Sequence, residues 1–153
     1  MAAAWFYHLT RSPVEATLAM LLPKALGAGW RVAVRSTDPA TLDRLDTQLW
    51  AGDGFLPHGL AGGPHDGDQP VLLTTSAEAP NGATCLVALD GAVVSPEEAA
   101  TLERVCLLFE GADEAAVAAA RDQWRRLTEA GIPAVYWSEE TGTWAKKAES
   151  GTV

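Results

Sequence analysis

The sequence predicts an α/β protein. The expected architecture is a Rossmann-like, mostly parallel sheet with helices on both faces and no nucleotide-binding loop. Three observations point there. Strand-like and helix-like segments alternate along the chain. A single hairpin signal, Asn81-Gly82, sits near the middle and predicts one antiparallel member. The chain has 153 residues with 48% apolar and 20% charged side chains, enough for one sizeable core. The division read from composition is one α/β domain over 1–145 and a short polar tail over 146–153.

The elements follow in order. Trp5 to Leu9 is an aromatic run read as a buried strand. Ser12-Pro13-Val14-Glu15 reads as a capping box with Pro at the first helical position, opening a helix that runs to about Ala28 and is closed by Gly29. Pro23 is expected to kink or split that helix. Trp30 to Arg35 reads as a strand, and Asp38-Pro39 opens a helix to about Trp50. Residues 51–70 carry six of the fourteen glycines and three of the nine prolines, which predicts a long loop. Pro70 to Thr75 and Thr84 to Leu89 read as strands joined through the Asn81-Gly82 turn. Ser95-Pro96-Glu97-Glu98 repeats the capping box before a short helix, and Val105 to Phe109 is a strand. Asp113 caps a long helix to about Ala130, ended by Gly131 with Pro133 beyond. Ala134 to Trp137 is a last short strand. The polar segment after it holds Trp144 and Lys146-Lys147.

Charge and composition exclude several classes. Eleven basic against twenty acidic residues leave a net charge of −9, which opposes wrapping a polyanion, so no direct DNA binding is expected. No apolar stretch reaches the roughly 18 residues that span a bilayer, and Met1 to Tyr7 lacks a basic region, so neither a membrane span nor a secretory signal is expected and the location read is cytoplasmic. Cys85 and Cys106 sit inside apolar runs and read as buried free thiols. The aromatic set is unusual, with six Trp against two Tyr and three Phe. Trp5 and Trp30 read as core.

Catalytic signatures are sparse. There is no G-x-x-x-x-G-K-[ST] and no G-x-S-x-G, and the first strand–helix junction, His8-Leu9-Thr10-Arg11-Ser12, has no glycine to bring backbone amides onto a phosphate. No cofactor, metal or catalytic residue is expected. The alternative is a small hydrolase-like enzyme built on the 51–70 loop, with His58 or His65 beside Asp53, Asp66 or Asp68. The spacing gives no sign that three ligands converge there. A further alternative is a protein-interaction module of another system. Glu97/Glu98 are explained by capping and the helix dipole, and Glu139/Glu140 by a solvated turn.

Two surfaces suit a partner. On the long helix, Ala116, Val117, Ala120, Trp124 and Leu127 share a stripe, with Arg121 and Arg125 beside it and Arg126 further round. One reading buries Trp124 and leaves the arginines solvated or paired with Asp122 or Glu129. The other is a groove in which an apolar wall meets two guanidinium groups, suited to a peptide bearing carboxylates and aromatic rings. The second surface is Trp50 at a helix end with Phe55 in the loop. These rings are either tucked into the core or exposed as a partner anchor.

These residues carry a specific resemblance. Phe6-Tyr7, Gly29-Trp30-Arg31-Val32-Ala33-Val34, Arg44-Leu45-Asp46-Thr47-Gln48-Leu49-Trp50, Phe55-Leu56-Pro57-His58-Gly59-Leu60-Ala61-Gly62, Gln69-Pro70-Val71, Arg121, Trp124-Arg125 and Ala130-Gly131 together resemble the chi subunit of bacterial DNA polymerase III, over about residues 5–145. The resemblance implies a non-catalytic adaptor. Such an adaptor links the clamp-loader complex, through a psi-type subunit, to the acidic C-terminal tail of single-stranded-DNA-binding protein, which ends in an Asp-Phe-Pro-Phe-like peptide. Val117, Arg121, Trp124 and Arg125 match the tail-binding groove. Trp124 stands for a Tyr, Arg125 for a Lys, and Val117 for a basic residue. Trp50 and Phe55 match aromatic positions facing psi, a surface also implied to receive an accessory helicase in some members.

Overall fold

The computed structural model describes residues 3–51, 57–77 and 80–150. Strands β1 (Ala4–Leu9), β2 (Val32–Arg35), β3 (Gly59–Leu60), β4 (Val71–Thr74), β5 (Cys85–Ala88), β6 (Arg104–Glu110), β7 (Ala134–Ser138) and β8 (Ala145–Ser150) form one sheet, ordered β3-β4-β2-β5-β6-β1-β7-β8. All neighbouring pairs are parallel except β7 and β8. Helices α1 (Val14–Gly27), α2 (Pro39–Ala51), α3 (Pro96–Ala100) and α4 (Glu114–Glu129) complete the α/β fold. Among the described residues, no helix is long and apolar enough to cross a membrane.

The sheet lies between two apolar layers. On one face Leu18 and Leu22 of α1 and Leu42, Leu45 and Leu49 of α2 meet Val32, Val34 and Leu73. On the other, Ala120 and Leu127 of α4 meet Phe6, Leu86 and Leu107. Strands β2, β4 and β5 are buried at every position, as expected where helices cover both faces of a parallel sheet. Both free cysteines are buried, on β5 and β6. The Cys106 thiol is held well above its ordinary range by its hydrogen bond with Cys85 and by burial.

Glycine ends the two long helices as expected. Gly29 and Gly131 adopt φ of +86° and +87°. In each case the next residue reaches back across the last turn, Trp30 N–H to Ala25 O and Ile132 N–H to Leu127 O. This is the paired hydrogen bonding of a Schellman stop, and it needs the left-handed conformation that glycine adopts without strain.

Several expectations are corrected. The Asn81-Gly82 hairpin does not form, because β4 and β5 lie on opposite sides of β2 and both run parallel to it. Asn81 is instead a buried brace. Its side-chain amide donates to Val32 O (3.1 Å) and Gln69 O (3.0 Å), and its backbone carbonyl accepts from the Arg31 guanidinium (3.0 Å). The antiparallel member is β8, in the segment whose composition reads as a polar tail. Its side chains are mostly exposed, so its sequence lacks an apolar face. Helix α1 runs through Pro23 as one element, and Ala19, whose carbonyl the proline leaves without an i+4 donor, is exposed. The 51–70 loop contains β3 and a 3₁₀ turn at Asp66–Asp68. Trp5 and Trp30 are only half-buried.

The first capping box also gives way to a tertiary contact. Ser12 leaves α1 uncapped and donates its hydroxyl to Glu139 Oε1 (2.7 Å). The backbone N–H groups of Thr10, Arg11 and Ser12 all donate to Glu139 Oε2, at 3.0 to 3.1 Å. Glu139 is therefore buried, not part of a solvated turn. At α3, Ser95 does cap, accepting from Glu98 N–H. The Glu98 carboxylate goes to the buried Arg35 guanidinium instead, at 2.6 and 2.9 Å. Arg35 also donates to the carbonyls of Ser76, Ala77 and Val93.

Burial opposes the charge on Glu139, but the bonds from Ser12, Arg11 and Thr10 outweigh it and hold the carboxyl below the ordinary range. A lowered folded value means stability present above the unfolded value, about 4.3, and lost as pH falls through the folded one. Replacing Glu139 with Gln is expected to lower the unfolding free energy at pH 7 by about 1.5–3 kcal/mol. Urea titrations should show the gap between parent and variant narrowing below about pH 4. Asn81→Ala is expected to cost about 1–3 kcal/mol in the same assay, because Val32 O and Gln69 O lose their donor.

Candidate functional site

Helix α4 presents the first surface. Asp113 accepts from Ala115 and Ala116 N–H and starts the helix. The apolar stripe then turns Ala120 and Leu127 fully inward and leaves Val117 and Trp124 half-buried at its margin. Gln123, not singled out from the sequence, is buried between them and donates to Ala92 O (3.2 Å). The Trp124 ring meets Phe6 edge-on at 5.3 Å and Tyr136 at 6.2 Å. It is a wall shared by core and surface, so the two readings of this helix divide the residue between them.

The arginines differ from one another. Arg125 and Arg126 both bind Asp122, at 2.6 and 3.1 Å, and form a solvated cluster of little energetic weight. Arg121 is exposed and has no ion pair among the described residues. Its charge reaches Tyr136, where burial pushes the phenol up and Arg121 draws it back part of the way. Of the two guanidinium groups expected beside Trp124, Arg121 is the one without a carboxylate.

Tyr136 is the residue sequence reasoning missed. It pairs in register with Phe6 on β1, and its hydroxyl shares a 2.7 Å hydrogen bond with His8 Nδ1. His8 stacks on Phe109 at 5.1 Å and lies against Gly111, where a Cβ would come within 2.1 Å of His8 Nε2. The pairing spans 128 positions, so no local spacing reveals it.

The second surface is at the other end of the sheet. Trp50 closes α2 with 52% of its surface exposed and stacks on His58 at 4.2 Å. His58 is buried, with Nε2 at 3.2 Å from Asp46 O and 3.1 Å from Asp46 Oδ1. It braces the loop against α2. Leu60, also exposed, is on the end strand β3. Phe55 and Asp53 lie outside the described residues.

The other loop residues suggested for chemistry are also held structurally. The Asp66 carboxylate accepts from Gly62 and Gly63 N–H, and His65 faces Asp68 at 3.8 Å in solvent. Gly59 packs closely on the Gln69 side chain, which a Cβ there would meet at 2.8 Å. Among the described residues, no group of three His, Cys, Asp or Glu side chains is placed to hold a metal.

Comparison with known proteins places these surfaces in context. The family described as "DNA polymerase III chi subunit, HolC" matches residues 1–135. The "Probable DNA polymerase III subunit chi" of Rickettsia prowazekii (strain Madrid E) is 26% identical over 101 residues, 65% of this chain. The chain spans 58% of the length of that relative. The match takes in α2 with Trp50, the braced His58 loop, and α4 with Arg121 and Trp124, so the chain belongs to the DNA polymerase III chi subunit family.

Proposed function

We propose that this chain is a non-catalytic accessory subunit of the DNA replication machinery. It joins the polymerase III complex through a psi-type partner at the Trp50 surface and captures the acidic tail of single-stranded-DNA-binding protein at the α4 surface. The observation that carries the tail reading is Arg121, an exposed guanidinium with no ion pair among the described residues, beside the half-buried rings of Trp124 and Tyr136. A carboxylate of the tail pairs with Arg121, and a tail ring packs against Trp124 and Tyr136. Val117 lengthens the apolar side, and Arg125 adds field rather than a free fork because Asp122 already engages it. With a net charge of −9, the protein needs a local basic spot such as this one to meet an acidic partner.

The Trp50 surface supports the second contact. An indole exposed at a helix end, together with the exposed Leu60 on the end strand β3, is an apolar anchor for another subunit.

A fluorescent acidic peptide ending in Asp-Phe-Pro-Phe is expected to bind with roughly micromolar affinity, about −8 kcal/mol. Arg121→Ala and Trp124→Ala should each weaken it at least tenfold by anisotropy, with Arg125→Ala milder. Raising salt should weaken the complex without abolishing it, since the charge pair is screened and ring burial is not. Parent-like binding by both the Arg121 and Trp124 variants refutes the tail site. Trp50→Ala is expected to lose co-elution with a psi-type subunit while retaining tail-peptide affinity. Unchanged co-elution would remove Trp50 from that interface.

A further inference from the structure

A cavity of about 390 Å³ opens between α1 and the sheet, on the face opposite α4. Four of the six tryptophans line it: Trp5, Trp30, Trp137 and Trp144. Trp5 and Trp137 meet at 5.3 Å, and Trp144 stands edge-on to Tyr7 at 5.3 Å. Neither proposed partner surface uses this wall.

Its charge is the informative feature. Lys24 and Arg104 are the charged residues that line it, and no acid does, in a chain with nearly twice as many acids as bases. The Arg104 guanidinium lies 3.7 Å from the Trp5 ring centre and 5.3 Å from that of Trp30. It has no ion pair among the described residues, and its Nε–H is shielded from water without an acceptor. The indole N–H groups of Trp5 and Trp137 are likewise shielded and without acceptors. Cation–π contact accommodates a guanidinium in such a place but gives its Nε–H no acceptor. The wall is therefore aromatic and cationic.

We infer that this cavity is a binding site for a small apolar carboxylate, with its hydrocarbon or aromatic body among the tryptophans and its anionic head on Arg104. The volume falls at the small end of ligand pockets and suits a body of about one aromatic ring. Arg suits the head because its planar fork binds a carboxylate while its face stays stacked on the indoles.

The test uses the whole chain and two probes, 4-phenylbutyrate and its neutral amide, followed by the indole N–H resonances assigned by single Trp→Phe variants. The acid should shift the signals of Trp5, Trp30, Trp137 and Trp144, leave Trp50 and Trp124 unmoved, and bind at least fivefold tighter than the amide. Arg104→Met keeps an apolar stem and removes the charge, so it should bind acid and amide alike. Ala28→Trp, at the exposed end of α1 on the cavity's lining, puts a ring into the space the probes need and should abolish binding of both. No shift at millimolar probe, equal affinity of the parent protein for acid and amide, or shifts confined to Trp50 and Trp124 would each overturn the site. If Arg104→Met fails to fold, the acid–amide comparison and Ala28→Trp still decide. The tail-peptide assay with Arg121→Ala is a separate measurement, so either site can fail without the other.

Discussion

Three consecutive amide hydrogens at the end of β1 point at one carboxylate, and much of the molecule is arranged by that contact. In open parallel sheets the crevice beyond the strand C-termini is where ligands are held, often on loop amides at a helix start. Here Thr10, Arg11 and Ser12 supply the amides and Glu139 supplies the anion, from the end of the neighbouring strand β7. The loop needs no glycine, because a side-chain carboxylate reaches the amides without the close approach a pyrophosphate demands. The contact also ties the start of α1 to the turn that launches β8, so the two ends of the described chain share one anchor.

The same solution recurs along the strand ends. Arg35, at the end of β2, is buried with a bidentate carboxylate from Glu98 and three loop carbonyls, and Asn81 closes the approach to β5 from inside. Each is a buried polar group whose hydrogen bonds join segments separated by twelve or more residues. Burial makes such contacts costly to break and leaves few competing arrangements. The rigid frame then carries its variable chemistry on surfaces: Arg121 and Trp124 on one face, Trp50 and Leu60 at the β3 edge, and the tryptophan-lined cavity on the other face. A scaffold whose loop amides are satisfied internally has its outer faces available for partners.

Much of the fold was legible in the sequence because the signals are local. Apolar runs marked the strands, Gly29 and Gly131 marked helix ends that need a left-handed residue, and Asp113 marked a cap. Candidate site residues were legible more coarsely. The spacing put Arg121, Trp124 and Arg125 on one side of α4. It did not show that Asp122 occupies Arg125 and leaves Arg121 the guanidinium beside the rings, since that depends on which of two rotamer-rich neighbours the carboxylate meets. Tyr136 was invisible for a different reason, its place beside Trp124 being set by the pairing of β1 with β7.

The sequence by itself determined the class, the order of the helices and buried strands, and the apolar faces, because periodicity, caps and stops act within a few residues. Only the tertiary structure decided where the polar side chains of the loops find their partners. Ser12 follows Glu139 instead of its own helix, Glu98 follows Arg35, and Asn81 braces β2 in place of turning a hairpin. A serine, a glutamate or an asparagine offers nearly the same hydrogen bond to a local amide as to a distant one. The choice falls to whichever group is buried beside it once the sheet has formed, and that is a property of the assembled layers rather than of any short stretch of chain.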